Sequence, residues 1–343
     1  MLSRTANDLF WLSRQIERAE NTARMLDITY RMSLLPYRVT DQDDKWVEPW
    51  AVPLITSGLA TEYYERYEDV SAENVLRFMI LDAANHSSIV SSIRTARENA
   101  RAQRGAITIE MWESLNATWL EMRGQTFERI RQGGTSEFFE YVKERSHLFR
   151  GVTVGTMLRD EGYTFMRLGT FFERADNTTR ILDVKYHTLL PSAQEVGGAV
   201  DYYQWSALLR SVSAFNAYRK IYSDVITPMR VAELLILRED MPRSLHACMN
   251  EIYDILRAIC AGAKLEPERL AGEIHAQLHY GQTARIFEFG LHEWLMKFLD
   301  QLVTLNAEIN QHFLVPVYNP PPSTMPQTQT QTQTQTQDAP ATP

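Results

Sequence analysis

Twelve polar residues carry the chemistry that this sequence has to offer. Glu17, Arg18, Glu20, Asn21, Arg24 and Asp27 lie in one stretch, and Glu173, Arg174, Asp176, Asn177, Arg180 and Asp183 restate it 156 residues later. The two segments read ERAENTARMLDITY (17–30) and ERADNTTRILDVKY (173–186), identical at nine of fourteen positions. At about 100° per residue, Glu17, Glu20, Asn21, Arg24 and Asp27 share about 120° of one helix face. Phe10 and Ile28 fall in the same sector, so the stripe is expected to be partly covered by protein.

Three kinds of chemistry suit such a stripe. Glu20 with Arg24, and Asp176 with Arg180, are spaced as i,i+4 ion pairs, each adding a few tenths of a kcal/mol to a helix. Repeated in two helices, they also suit an interface in which Arg24 of one meets an acid of the other, an arrangement that fixes register more than it stabilises. Alternatively, Glu17/Glu20 or Glu173/Asp176 act as general acid and base while Arg24 or Arg180 grips a substrate carboxylate. The third option is a pocket for a polar ligand, a metal or a peptide end.

Metal and cofactor signals are sparse. Di-iron bundles need two Glu-x-x-His pairs, and the chain has one, Glu144/His147. His275/His279 is an i,i+4 pair and Glu288/His292 another pairing; these could hold zinc only if their helices were adjacent, and the expectation is exposed histidines and no metal. There is no Walker A loop, no Gly-x-Gly-x-x-Gly after a strand and no Gly-x-Ser-x-Gly elbow, so no cofactor is expected. The glycine-bearing stretch 151–162 reads as the turn between two halves.

The elements that position these residues are helices. Leu9, Leu12, Ile16, Ala19, Ala23, Leu26 and Tyr30 alternate three and four apart, as do Phe165, Leu168, Phe172, Ala175, Thr179, Leu182 and Tyr186. That is a packing seam, with small residues at its centre where another backbone could approach. Further helical patterns cover roughly 47–70, 73–103, 108–132, 135–149, 200–223, 229–238, 243–264, 267–280 and 283–312. Ser71, Ser136, Asp201 and Ser244 read as N-caps, and Gly105, Gly133-Gly134 and Gly262 as stops. Weaker echoes of the repeat pair Trp50 with Trp205, Tyr63 with Tyr218, and 78–81 with 234–237. No βαβ alternation is present. The expected fold is all-α, a helical bundle of two pseudo-symmetric repeats, 1–156 and 157–315, fused into one body. Residues 316–343 hold seven of the fourteen prolines and a Gln-Thr run, and are expected to be a disordered tail.

Charge and cysteines narrow the function. Thirty-five Lys and Arg against 43 Asp and Glu give −8, which disfavours general nucleic-acid binding. Cys248 and Cys260 form neither a disulfide framework nor a CxxC, fitting a reducing, cytoplasmic setting. No apolar run approaches the ~20 residues of a membrane span, and the N-terminus lacks a signal-peptide core.

Four stretches together resemble the bacterial alpha-E family: residues 1–24 (MLSRTANDLFWLSRQIERAENTAR), 96–101 (ARENAR), 146–151 (SHLFRG) with 156–159 (TMLR), and 173–176 (ERAD). The likeness covers about 1–315. It implies a gene neighbourhood shared with, or fusion to, a circularly permuted ATP-grasp protein, with a transglutaminase-like cysteine peptidase and sometimes a proteasome-related peptidase nearby. It also points to Glu17, Arg18, Glu20, Arg24, Glu173, Arg174, Asp176 and Arg180, without a catalytic role for them. The leading expectation is therefore a non-catalytic helical partner of an ATP-grasp ligase in a peptide synthesis or modification system, positioning a peptide or amino-acid substrate. The alternatives are an enzyme using the paired Glu and Arg, and a structural module that oligomerises through its alanine-centred seams.

Overall fold

A computed structural model describes residues 1–34, 48–187 and 198–315. The expected tail, 316–343, like 35–47 and 188–197, lies outside the described residues. Among those residues there are sixteen α-helices and no strand, so the chain is all-α. No helix among them is long and apolar enough to cross a membrane.

The helices fall into two successions of eight. The first is α1 (Ser3–Ser33), α2 (Val52–Ser57), α3 (Ala60–Tyr64), α4 (Ala72–Ile80), α5 (Ile89–Ala102), α6 (Ile109–Met122), α7 (Phe127–Gly133) and α8 (Thr135–Thr156). The second is α9 (Glu161–His187), α10 (Ala199–Ser211), α11 (Phe215–Tyr222), α12 (Pro228–Ala232), α13 (Leu245–Cys260), α14 (Glu266–His279), α15 (Thr283–Phe289) and α16 (Leu291–Ile309). Matching details recur at offsets of 155 or 156. Tyr63 and Tyr218 are both fully buried, and their hydroxyls donate to the carbonyls of Asp69 and Val225. Ser88 and Ser244 cap α5 and α13, each also donating its hydroxyl to a carbonyl six residues back. Gly134 and Gly290, at φ +96° and +103°, join α7 to α8 and α15 to α16; only glycine takes that conformation without strain.

Several expected elements are broken where local chemistry intervenes. The 73–103 pattern divides into α4 and α5, because the buried Asn85 donates to the Phe78 carbonyl and its own oxygen takes the Ser87 N–H, folding the chain before the Ser88 cap. Gly290 divides 283–312. Ser71 and Ser244 are N-caps, whereas Gly134 and Gly198 hold that place for α8 and α10 instead of Ser136 and Asp201. Gly151 and Gly155 lie inside α8, so the connector between the successions is only 157–160.

The α1 seam packs on helices of the first succession. Leu9, Leu12 and Ile16 bury against Ala96, Met111 and Phe149, and Ala19, Ala23 and Leu26 against first-half residues such as Val75, Ile93 and Phe139. From the α9 seam, Phe165, Leu168, Phe172, Ala175 and Leu182 bury in one cluster with residues of the second succession and with Ala6, Phe10, Met25, Ile28 and Met32 of α1. The most extensive neighbour of α1 is α9, and apolar contacts such as Phe10 on Phe172, ring centroids 6.5 Å apart, join the two helices. The backbones approach closely at Gly169, where a Cβ would overlap the Phe10 carbonyl oxygen.

Candidate functional site

What lies between α1 and α9 is the charged stripe. Arg18 donates to Glu173 at 2.6 and 3.0 Å, and Arg174 donates to Glu17 at 3.0 and 3.2 Å. The exchange is reciprocal: each helix's Arg holds the other's Glu. Arg24 and Arg180 do not cross-pair as expected. Each grips the acid one turn back on its own helix, Glu20 and Asp176. Each then reaches a carbonyl near the C-terminal end of a helix in the other succession, Arg24 to Ser211 of α10 at 2.5 Å and Arg180 to Thr56 of α2 at 2.7 Å. A cation there satisfies an orphan carbonyl and complements the helix dipole.

Three further arginines complete the network. Arg14, one turn before Arg18, donates to Glu173 at 2.8 Å. Arg150 of α8 reaches Glu17 at 2.5 Å and Glu20 at 2.6 Å. Arg243, just before α13, donates to Glu17 at 3.1 Å, to the Asn21 side-chain oxygen at 3.3 Å and to Glu20. Around Glu17 and Glu20 stand four guanidinium groups, those of Arg24, Arg150, Arg174 and Arg243, a surplus of two positive charges. Around Glu173 and Asp176 stand Arg14, Arg18 and Arg180, a surplus of one. The interface is cationic inside a chain of net charge −8.

These surroundings fix the protonation states. Burial pushes Glu17, Glu20 and Glu173 upward, but the guanidinium charges outweigh it and hold all three below the usual range, Glu173 at about 2. Burial brings Arg243 down to about 10, still charged at neutral pH. Such permanently ionised, fully engaged carboxylates are poor general acids or bases, which need a pKa near the working pH. The pH consequence has a definite sign. Glu173 binds its proton near 4.5 when unfolded and near 2 when folded, so its contribution is complete above pH 4.5 and is lost as pH falls toward 2. Calorimetric melting temperatures are expected to drop across that window. A Glu173→Gln variant, less stable at neutral pH, is expected to show a shallower drop and approach wild type near pH 2.

The network leaves a cavity of about 220 Å³ on one side of the helix pair, lined by Arg18, Asn21, Ser87, Asp176, Asn177 and Arg180 among others. Ser87 stands 156 residues before Arg243. Arg243 fills the space beside Glu17, Glu20 and Asn21; at the matching place beside Glu173, Asp176 and Asn177, the short Ser87 leaves it open. Asn21 and Asn177 both line the cavity, and each has its amide nitrogen buried with no hydrogen-bond partner. For Asn21 the bond from Arg243 to the oxygen fixes which end is nitrogen. The surplus guanidinium charge of Arg14, Arg18 and Arg180 around this cavity suits an acceptor-rich anion such as a carboxylate.

Of the twelve stripe residues, ten belong to this interface. Asp27 and Asp183 lie further along: Asp27 pairs with Arg31 at 3.1 Å and Lys143 at 3.7 Å, and Asp183 with His292 at 2.6 Å. His292 therefore faces Asp183 rather than forming a pair with Glu288, and His147 faces Glu20 at 3.4 Å. Arg14, Arg150 and Arg243 were absent from the expected set. Arg14 shares the stripe's helical spacing and was readable; Arg150 and Arg243 sit on other elements, with no local pattern to mark them.

The comparisons with known proteins decide the family. The family model described as "a predicted alpha-helical domain with a conserved ER motif", Alpha-E, matches residues 1–314. The chain belongs to the Alpha-E family. Its Glu-Arg dipeptides at 17–18 and 173–174 are the four residues of the reciprocal exchange. Among relatives of this Alpha-E chain, Uncharacterized protein Mb2597 of Mycobacterium bovis and Uncharacterized protein Rv2567 of Mycobacterium tuberculosis are each 23% identical over 302 residues, covering 83% of this chain and 33% of theirs. The chain thus spans about a third of the length of the curated relatives it matches. No solved structure shows a significant match.

Proposed function

We propose that this Alpha-E chain is a non-catalytic helical partner of a circularly permuted ATP-grasp ligase in a cytoplasmic peptide-modifying system, and that its α1–α9 cavity receives the carboxylate end of a peptide or amino-acid substrate. The carrying observation is the cavity itself, lined by Arg14, Arg18 and Arg180 against Glu173 and Asp176, a guanidinium surplus of one. The ionised state of Glu17, Glu20 and Glu173 speaks against the acid–base alternative. The ligase as partner follows from the family resemblance, and the extra length of the mycobacterial relatives leaves room for a covalently joined partner. In this reading the chain presents an acceptor while the ligase activates the other reactant as an acyl phosphate, and the repeated stripes join two related halves into one rigid body. A transglutaminase-like peptidase is a further candidate partner, acting on the product.

Co-expression with the neighbouring ATP-grasp protein and size-exclusion chromatography test the partnership. The expected result is a co-eluting complex whose ligase turnover depends on this chain. Separate elution with unchanged ligase turnover would overturn it, and light scattering on the chain alone reads any homo-oligomer that the structural alternative requires.

A further inference from the structure

The strongest unassigned chemistry lies away from the stripe, where α13 meets α14. His246 is in the first turn of α13, and His275 and His279 are one turn apart on α14. The three imidazole rings form a near-equilateral triangle, with centroids 5.9, 5.6 and 5.7 Å apart. One ligating nitrogen from each lies within 4.8 Å of the others. We propose that His246, His275 and His279 bind a single zinc ion through three neutral imidazoles, with the fourth position open to water.

His246 carries the argument. It is 5% exposed. Its Nδ1 lies 2.7 Å from the Leu237 carbonyl oxygen. A carbonyl only accepts, so Nδ1 holds the proton and Nε2 presents a bare lone pair. That Nε2 is buried with no hydrogen-bond partner, an arrangement that costs about 1–3 kcal/mol when left unmet. A carbonyl on one imidazole nitrogen, fixing the tautomer so that the other faces a metal, is the usual outer support of a zinc histidine.

The other two rings are held as well. Tyr253 stacks on His275 at 5.1 Å, and Tyr280 meets His279 edge-on at 4.7 Å. Zinc–nitrogen bonds of about 2.0 Å in a tetrahedron place nitrogens about 3.3 Å apart. Half-buried His275 and exposed His279 have open space beside them in which to turn toward that distance. Three histidines with an open fourth position are the ligand set of hydrolytic and hydrating zinc sites. The corresponding first-half positions are Val90, Trp119 and Arg123, so the site belongs to the second half alone. It neither uses nor requires the α1–α9 cavity.

The test is titration of tag-free, metal-stripped full chain with zinc ion alone, read by calorimetry and metal analysis. One equivalent is expected, and cobalt(II) in its place should give the intense visible bands of a four-coordinate site. His279→Ala changes an exposed side chain and should leave the fold intact. Its zinc affinity should fall by more than the about 100-fold that loss of an outer partner costs. Zinc should raise the melting temperature of wild type and not that of His279→Ala. No stoichiometric binding, or equal binding by wild type and His279→Ala, would overturn the proposal.

Discussion

Replacing Glu17 by glutamine is expected to destabilise the protein by about 3–5 kcal/mol, the usual cost of removing one partner from a buried ion pair. The carboxylate is 1% exposed and contacts Arg150, Arg174 and Arg243. An amide keeps the shape but leaves the guanidinium groups to repel one another in a desolvated space. At about 2 cal/mol/K per residue of unfolding entropy, the loss is about 5–8 °C in melting temperature. The same change at the exposed Glu98, which pairs with Arg97 and Arg101 at the surface, should leave the melting temperature nearly unchanged. Because cations exceed acids around Glu17, adding Arg243→Met to Glu17→Gln should restore part of the loss. Strict additivity of the two changes would contradict the charge-surplus explanation.

The second large effect is on function and leaves the fold intact. Ser87→Arg places a guanidinium where the matching position holds Arg243, within the cavity lined by Glu173, Asp176 and Asn177. Ser87 is only half-buried, so the longer side chain has a route to solvent while its head meets two carboxylates. The folded state should therefore survive with a melting temperature close to wild type or above it. The cavity, however, is filled and its arginines are screened from any substrate carboxylate. Stimulation of the partner ligase is expected to fall at least tenfold, which corresponds to about 1.4 kcal/mol of lost binding, with KM for the carboxylate substrate rising rather than kcat falling.

Much of this was legible from the chain alone. The repeated ERAENT and ERADNT segments mark the two helices that meet, and their 3–4 spacing marks which face is polar. The direction of the seams was not legible, because Ala19 and Ala23 look like a site of close approach wherever they pack. One close approach, of α9 on α1, uses Gly169, which breaks no local pattern. Arg18 and Arg174, about 1.7 turns before Arg24 and Arg180, make the cross-pairs, and a periodic stripe does not say which of its arginines will cross. Arg243 has no periodic context, and its meaning emerges only when it is aligned with Ser87. His246 was invisible for the same reason: His275 and His279 announce themselves by i,i+4 spacing, whereas their third partner arrives from another helix.

The central claim is that the carboxylates hold the two halves together while the cavity beside them does the binding. The most direct measurement pairs melting temperature with ligase stimulation for Glu17→Gln and Ser87→Arg, both assayed well below their melting temperatures. The expected result is a divided one: Glu17→Gln loses stability and keeps stimulation, and Ser87→Arg keeps stability and loses stimulation. A folded Glu17→Gln that no longer stimulates, alongside a Ser87→Arg that stimulates as wild type does, would contradict the account.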